Sequence, residues 1–209
     1  TKSGKLINIE ASTNTILDEK GKIIGFLGIQ RDISERKDRE KLNKIIQNIT
    51  NQSQKKLSTK QMLAFIQTEV SKFIDTNNFF VALYNNKTGM ITLPYYMDEN
   101  DVRNEFPSEK TLTGLVIKKG KTLLINQPEM ERLQKEKIIK KVGENSKTWL
   151  GIPLKIEGKV TGAMVLQSYT HKKIYKQEDI EALELIANQV SICIERKCHE
   201  EELIKAKVK

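Results

Sequence analysis

Two cysteines, two histidines and scattered carboxylates are the residues of this chain whose chemistry goes beyond packing. Cys193 and Cys198 stand five residues apart on a stretch of helical periodicity. At ~100° per residue they point about 140° apart, so they form no disulfide with each other. Two thiols are also too few for a disulfide scaffold, and they suit a reducing, cytoplasmic compartment. Cys193 reads as core packing and Cys198 as surface. His199 reads as an exposed helix residue, and His171 follows the last strand in a loop. Asp179 reads as a first-turn acid of the final helix, favoured by the helix dipole. No nucleophile, base and orienting group combine, so the residues alone point away from an enzyme.

The charge is high. The chain of 209 residues carries 36 Lys+Arg against 27 Asp+Glu, a net charge of +9, which invites a nucleic-acid reading. Lysines gather at Lys118, Lys119 and Lys121, and again at Lys135, Lys137, Lys140, Lys141 and Lys147. Glu129, Glu131, Glu136 and Glu144 interleave with them, arginine is scarce, and no aromatic stands among them as a stacking platform. Pairing along a solvated helix face is the expectation. A charge-driven nucleic-acid-binding module is the alternative, and heparin retention with a steep salt slope is its test. No apolar run approaches the ~18 residues of a membrane helix, and no signal-peptide pattern is present, so no membrane contact is expected. The chain starts without Met and in mid-motif, and reads as a piece of a longer protein.

The elements that must position these residues follow from periodicity. Residues 6–17 alternate as a strand, Asp18-Glu19-Lys20-Gly21 turns the chain, and residues 22–30 form a Gly-punctuated apolar strand. Two such strands bury no core alone. Residues 32–57 change to a charged helix with a sparse seam of Ile33, Leu42, Ile45, Ile46 and Ile49. Two readings fit that seam: a linker helix pairing with its own copy, or a solvated helix with one buried stripe. Ser58 caps the next helix, whose broad apolar face holds Met62, Leu63, Phe65, Ile66, Val70, Phe73 and Ile74. Strands are expected at 79–84, 90–97 and 123–125, a short helix at 112–119 ended by Gly120, and a Lys/Glu-rich helix over 128–147. Residues 149–156 and 160–169 make the clearest hairpin, and a long helix starts at Gln177 with the seam Ile180, Leu183, Ile186, Ala187, Val190 and Ile194. The order implies an α+β domain, an antiparallel sheet flanked by helices.

Several stretches carry a family signature. Trp149-Leu150-Gly151-Ile152-Pro153-Leu154, Gly158-Lys159-Val160-Thr161-Gly162, Gln167-Ser168-Tyr169, Tyr175 to Asp179 and Leu185 to Val190 together resemble the C-terminal half of a GAF domain. Leu112-Thr113-Gly114-Leu115-Val116 with Gly120-Lys121 and Leu124-Ile125-Asn126 is similar to the middle of that family. Gly21 to Gly25 and Arg31 to Arg36 resemble the last two strands and exit motif of a PAS domain, and Glu200 to Lys207 resembles the helix leading into the kinase module of bacterial sensor histidine kinases. The resemblance implies residues 1–34 as the end of a PAS domain, 35–57 as a linker helix, 58–197 as a GAF domain and 198–209 as the start of an output helix. It further implies a sensory input region, without catalysis of its own, of a bacterial two-component sensor histidine kinase.

Within that resemblance, Tyr84, Tyr95, Tyr96, Thr113, Trp149, Gln167 and Tyr169 are the candidate lining of a small-molecule pocket between sheet and helices. The alternative is that the Trp and the tyrosines are ordinary core with their polar ends bonded at the rim. Cofactors of the family are not expected. Bilin attachment and a methionine-sulfoxide reductase both need loop cysteines, whereas Cys193 and Cys198 lie on the last helix. The cyclic-nucleotide branch has a Glu where this chain has Ile180 beside Asp179, and haem would rest on His171 alone. The His199-Glu200 pair lacks the Arg and Pro of a phospho-accepting site. A homodimer is expected through Leu42, Ile45 and Ile49 on one flanking helix and Val190 and Ile194 on the other.

Overall fold

A computed structural model describes residues 6–98, 104–140, 145–170 and 175–207. The chain divides into two compact units, Thr1–Ile45 and Ile46–Lys209. In the first, β1 (Ile9–Leu17) and β2 (Ile23–Asp32) form an antiparallel hairpin. Its turn is tied by Asp18 Oδ1, which accepts from the Lys20 and Lys22 amides at 2.9 and 2.8 Å, with Gly21 at a φ of 77°. Helix α1 (Ser34–Ser53) begins here and runs into the second unit. The large apolar side chains of the hairpin are exposed on both faces: Ile23 and Phe26 on one, Leu27 and Ile29 on the other, with Ile24 at the bulge between them also exposed.

The second unit continues with α2 (Thr59–Ser71), β3 (Phe79–Asn85), β4 (Met90–Met97), β5 (Glu105–Pro107), α3 (Leu112–Lys119), β6 (Leu123–Asn126), α4 (Gln127–Lys135), β7 (Thr148–Ile156), β8 (Lys159–Ser168) and α5 (Gln177–Lys207). The strands make one six-stranded sheet in the order β5-β4-β3-β8-β7-β6, antiparallel at each pairing. It is the α+β architecture expected, with one strand, β5, that the sequence reading lacked.

Local signals set the boundaries. Ser58 accepts from the Gln61 amide at 3.2 Å and Gln61 returns the bond at 2.9 Å, a complete capping box at the start of α2. Thr111 caps α3 and Gly120, at a φ of 60°, closes it. Between Val81 and Leu83 the pairing of β3 with β4 slips, where Pro94 offers no amide to the ladder.

Alternation sorts the core into two layers. Phe80, Ala82, Ala163, Val165 and Trp149 pack with Val116 of α3, Met130 and Leu133 of α4, and Ile139. Phe79, Val81, Leu150, Ile152, Met164 and Leu166 are buried on the opposite face, where α2 and α5 supply Met62, Leu63, Ile66, Leu183 and Val190. Two charged side chains are buried on this side with partners. Glu69 accepts from Asn48 at 2.7 Å and pairs with Lys72. Lys197 of α5 donates to Glu200 at 2.6 Å and to the Lys55 carbonyl at 3.3 Å.

Two expectations are corrected. The Lys/Glu-rich helix stops at Lys135 instead of reaching 147. Lys137 turns the chain at a φ of 57°, and Ile139, at 4% exposure, is drawn into the core instead of continuing along a solvated face. The part of the expected self-pairing seam that lies in the second unit is buried there: Ile49, Val190 and Ile194 are at most 3% exposed. Among the described residues, the large apolar side chains that α5 leaves exposed are Leu185, Ile192 and Leu203.

Candidate functional site

A cavity of about 80 Å³ opens in the layer beneath α3 and α4. The sheet builds one wall. Phe80 of β3 faces Tyr96 across the β3–β4 pair with ring centroids 5.7 Å apart, and Trp149 of β7 pairs with Gln167 of β8. Leu93 and Phe106 extend this wall along β4 and β5. The other wall comes from helices and connections: Thr111, Leu112 and Thr113 at the start of α3, Met130 and Gln134 of α4, then Ile139 and Lys140. Asn145, Ser146 and Tyr169 complete it.

Two glycines permit this packing. The indole of Trp149 lies over Gly151, where an added Cβ would also stand 2.9 Å from Val116 Cγ2. At Gly114 a Cβ would run into the Ser108 carbonyl, which sits against the first turn of α3. The same turn is tied by Thr111 Oγ1, which donates to the Ser108 carbonyl at 2.9 Å and accepts from the Gly114 amide at 3.0 Å. The Lys140 amide donates to the Lys110 carbonyl at 2.8 Å, holding the segment after α4 beside the entry to α3.

Three polar groupings converge on the cavity. Gln167 Nε2 donates to Tyr169 OH at 2.9 Å and to Asp98, and Tyr169 OH donates to Asp98 Oδ1 at 3.0 Å. Gln134 and Asn145 pair through their amides at 3.0 Å. Ser146 is 1% exposed and its hydroxyl has no hydrogen-bond partner. A buried hydroxyl left unpaired costs about 1–3 kcal/mol, so it is a group with capacity for a partner.

Of the seven residues expected at a pocket, Tyr96, Thr113, Trp149, Gln167 and Tyr169 line this cavity. Tyr84 is half-buried against the same core layer without reaching the lining. Tyr95 lies on the opposite face, its ring 6.0 Å from that of Phe79, and burial raises its hydroxyl pKa above the ordinary value. Phe80, Phe106, Lys140 and Ser146 were missed. Phe80 had a readable signal, strand phase, while Phe106 lies on β5, a strand not expected, and the long helix expected over 128–147 concealed Lys140 and Ser146.

The remaining chemical candidates lie elsewhere. Cys193 is buried and Cys198 exposed on α5, and neither lines the cavity. His199 is exposed on the same helix, and His171 lies outside the described residues. Asp179 accepts from the Lys176 amide at 2.8 Å at the start of α5. In the lysine-rich region Arg132 is clamped by Glu129 at 2.6 Å and Glu136 at 3.1 Å, and Lys118 and Lys119 occupy the last turn of α3, where the helix dipole favours cations. Among the described residues no cluster of His, Cys, Asp and Glu is placed to hold a metal ion, and no helix is long and apolar enough to cross a membrane.

Known proteins of this shape are informative. The GAF domain of a phosphoenolpyruvate-protein phosphotransferase from Coxiella burnetii is 16% identical, with a TM-score of 0.64 over 78% of this chain and 98% of that one. The free methionine-R-sulfoxide reductase of Neisseria meningitidis, in complex with its substrate, is 14% identical, with a TM-score of 0.62 over 78% and 91%. The phycocyanobilin-bound GAF domain of a cyanobacterial phytochrome is 13% identical, with a TM-score of 0.57 over 76% and 96%. No curated protein sequence matches the chain. The family model described as GAF domain matches residues 56–195, well over half of the 209, and spans both walls of the cavity. On that match and the sheet order that carries it, the chain belongs to the GAF domain family.

Proposed function

We propose that the chain is a sensory input region that binds a small molecule in the cavity beneath α3 and α4 and catalyses nothing itself. The carrying observation is the cavity: aromatic walls from Phe80, Tyr96 and Trp149 meet a few convergent polar groups, the composition of a ligand site. The distance of both thiols from it supports binding without redox chemistry, unlike the Neisseria reductase. The charge-driven nucleic-acid alternative has no observation in its favour. A metabolite screen by melting temperature tests the reading, because a ligand bound only by the folded state must raise it. If no compound does, the sensory-pocket reading falls.

The wider context belongs to the same proposal. β2 carries exposed apolar residues on both faces, with Phe26 at 68% and Ile29 at 55% exposure. A strand apolar on both sides needs two covering layers, which supports residues 1–34 as the closing hairpin of a PAS domain. On α5, Leu185, Ile192 and Leu203 recur at intervals of seven and eleven residues, within about 20° of one line. This stripe, and not the buried seam, is the surface for a parallel homodimer that passes the signal to a cytoplasmic histidine kinase module. Ile192→Asp is expected to yield monomers by light scattering with an unchanged melting temperature. A dimer in that variant contradicts the stripe. A His-Glu-x-Arg-Thr-Pro stretch in the sequence following Lys209 supports the kinase; a different output motif overturns it.

A further inference from the structure

The charges and donors around the cavity define what it takes. We infer that its ligand is a small organic anion, a carboxylate of about four to six non-hydrogen atoms, held by the start of α3 together with Ser146 and Lys140. This rests on the reading of the cavity as a ligand site and specifies its chemistry.

Donors dominate one part of the lining. Thr111, Leu112 and Thr113 place the first turn of α3 in the wall. The Gly114 amide is already taken by Thr111 Oγ1, whereas the Leu112 and Thr113 amides have no partner within the helix. The N-terminal end of the helix dipole adds a positive potential there. Independently, Ser146 brings a buried hydroxyl that has no partner. Lys140 is the one formally charged residue of the lining, exposed at the rim and in no ion pair among the described residues. The nearby carboxylate, Asp98, is outside the lining and already accepts from Tyr169 and Gln167. An anion therefore meets the unpartnered Ser146 hydroxyl, the free amides of the first turn of α3 and the one charged side chain of the lining, whereas no carboxylate lines the cavity for a cation.

Size and apolar surface set the rest. The free volume of about 80 Å³ is roughly half of the ~150 Å³ that accommodates benzene in an engineered cavity. Phe80, Met130 and Trp149 offer aromatic and thioether surface to a short hydrocarbon end. A short-chain carboxylate combines that end with a charge-assisted hydrogen-bonding head.

Trp149 is the sole tryptophan of the chain, so its fluorescence reports on the cavity directly. The experiment titrates the whole chain at low ionic strength with acetate, propionate, butyrate and valerate, the matching uncharged amides, and inorganic phosphate. The expected result is a saturable change of Trp149 emission with a two- to four-carbon carboxylate and none with its amide. Lys140→Gln and Ser146→Ala are each expected to weaken that carboxylate about tenfold, the loss of one charge-assisted bond. Lys140 is exposed, so its variant leaves the fold intact. Equal binding of amide and acid, or carboxylate binding unchanged in both variants, overturns the anion assignment. Phosphate binding without the carboxylates overturns the organic part. If none of these binds while an uncharged or cationic metabolite does, the anion class falls and the ligand site stands; if no compound of any class binds, both fall.

Discussion

The indole of Trp149 is seated over Gly151, two residues along the same strand, in space that a single methyl group would fill. An added Cβ at Gly151 would lie 2.6 Å from Trp149 Cζ3 and 2.9 Å from Val116 Cγ2. The glycine thus aims a cavity wall. Gly151→Ala is expected to cost about 1–3 kcal/mol as overpacking and to shift Trp149 emission by displacing the ring. Gly28→Ala in β2, where a Cβ meets nothing within 4 Å, is the matched control for a glycine replaced in a strand. Denaturant titration of both variants, followed by fluorescence, separates the two cases.

Gly162 makes a harder demand. A Cβ there would collide with the carbonyl of Ala82 in the neighbouring strand and lie 3.3 Å from Leu83 Cα. Those are backbone atoms of a central strand pair and have nowhere to move. Gly162→Ala is expected to destabilise by more than Gly151→Ala, about 3 kcal/mol or above, read as a fall in melting temperature. An equal or smaller loss contradicts the β3–β8 contact.

How much of this was legible from the residues varies by element. Gly120 ends α3 where expected, and Glu157-Gly158 marks the β7–β8 turn, because caps and turns are chemistry local to a few residues. Strand phase correctly separates Tyr95 from Tyr96, since neighbours in a strand face opposite ways. Which face holds the cavity is not a local property, so both stood as candidates. Tyr84 shares phase with Phe80 and Ala82, but the irregular pairing near Pro94 lies between it and Tyr96. The end of α4 was unreadable for a similar reason. Its Lys/Glu pattern runs on past Lys135, and only the tertiary burial of Ile139 turns the chain and brings Lys140 and Ser146 to the cavity.

Tyr175 predicts an alkaline weakness. Its hydroxyl is buried without a partner, and burial, reinforced by the charge of Asp75, pushes its pKa above the usual phenol value. The folded state therefore keeps the proton that the unfolded state releases. Stability on this account is full below about pH 10 and lost as pH rises above it toward the folded-state value. Tyr175→Phe removes an unsatisfied group and is expected to be neutral or stabilising by about 1 kcal/mol at pH 7. Urea unfolding between pH 8 and 11 is expected to show a shallower decline for the variant; an equally steep one contradicts the assignment.

The two thiols are expected to differ sharply. Cys193 is buried and its pKa is raised by that burial, against hydrogen bonds from Ser53 and Gln189, while Cys198 is exposed. Thiolate is the reactive form, so Cys198 reacts and Cys193 stays protonated. A chromogenic thiol reagent at pH 8 is expected to titrate one equivalent rapidly in the native protein and the second only after unfolding. Rapid reaction of both contradicts the packing of α5 against the sheet.

The central claim is that the cavity beneath α3 and α4 is where this GAF domain meets its signal. The most direct test is thermal unfolding with a metabolite that changes Trp149 emission, run on the natural chain and on Gly151→Ala. At a hundred times its Kd, such a ligand adds about 2.7 kcal/mol, a rise of roughly 5–10 °C for a domain of this size. The account predicts that rise in the natural chain and a clearly smaller one in Gly151→Ala, whose cavity wall is displaced. An equal rise in both would place the ligand elsewhere and contradict the account.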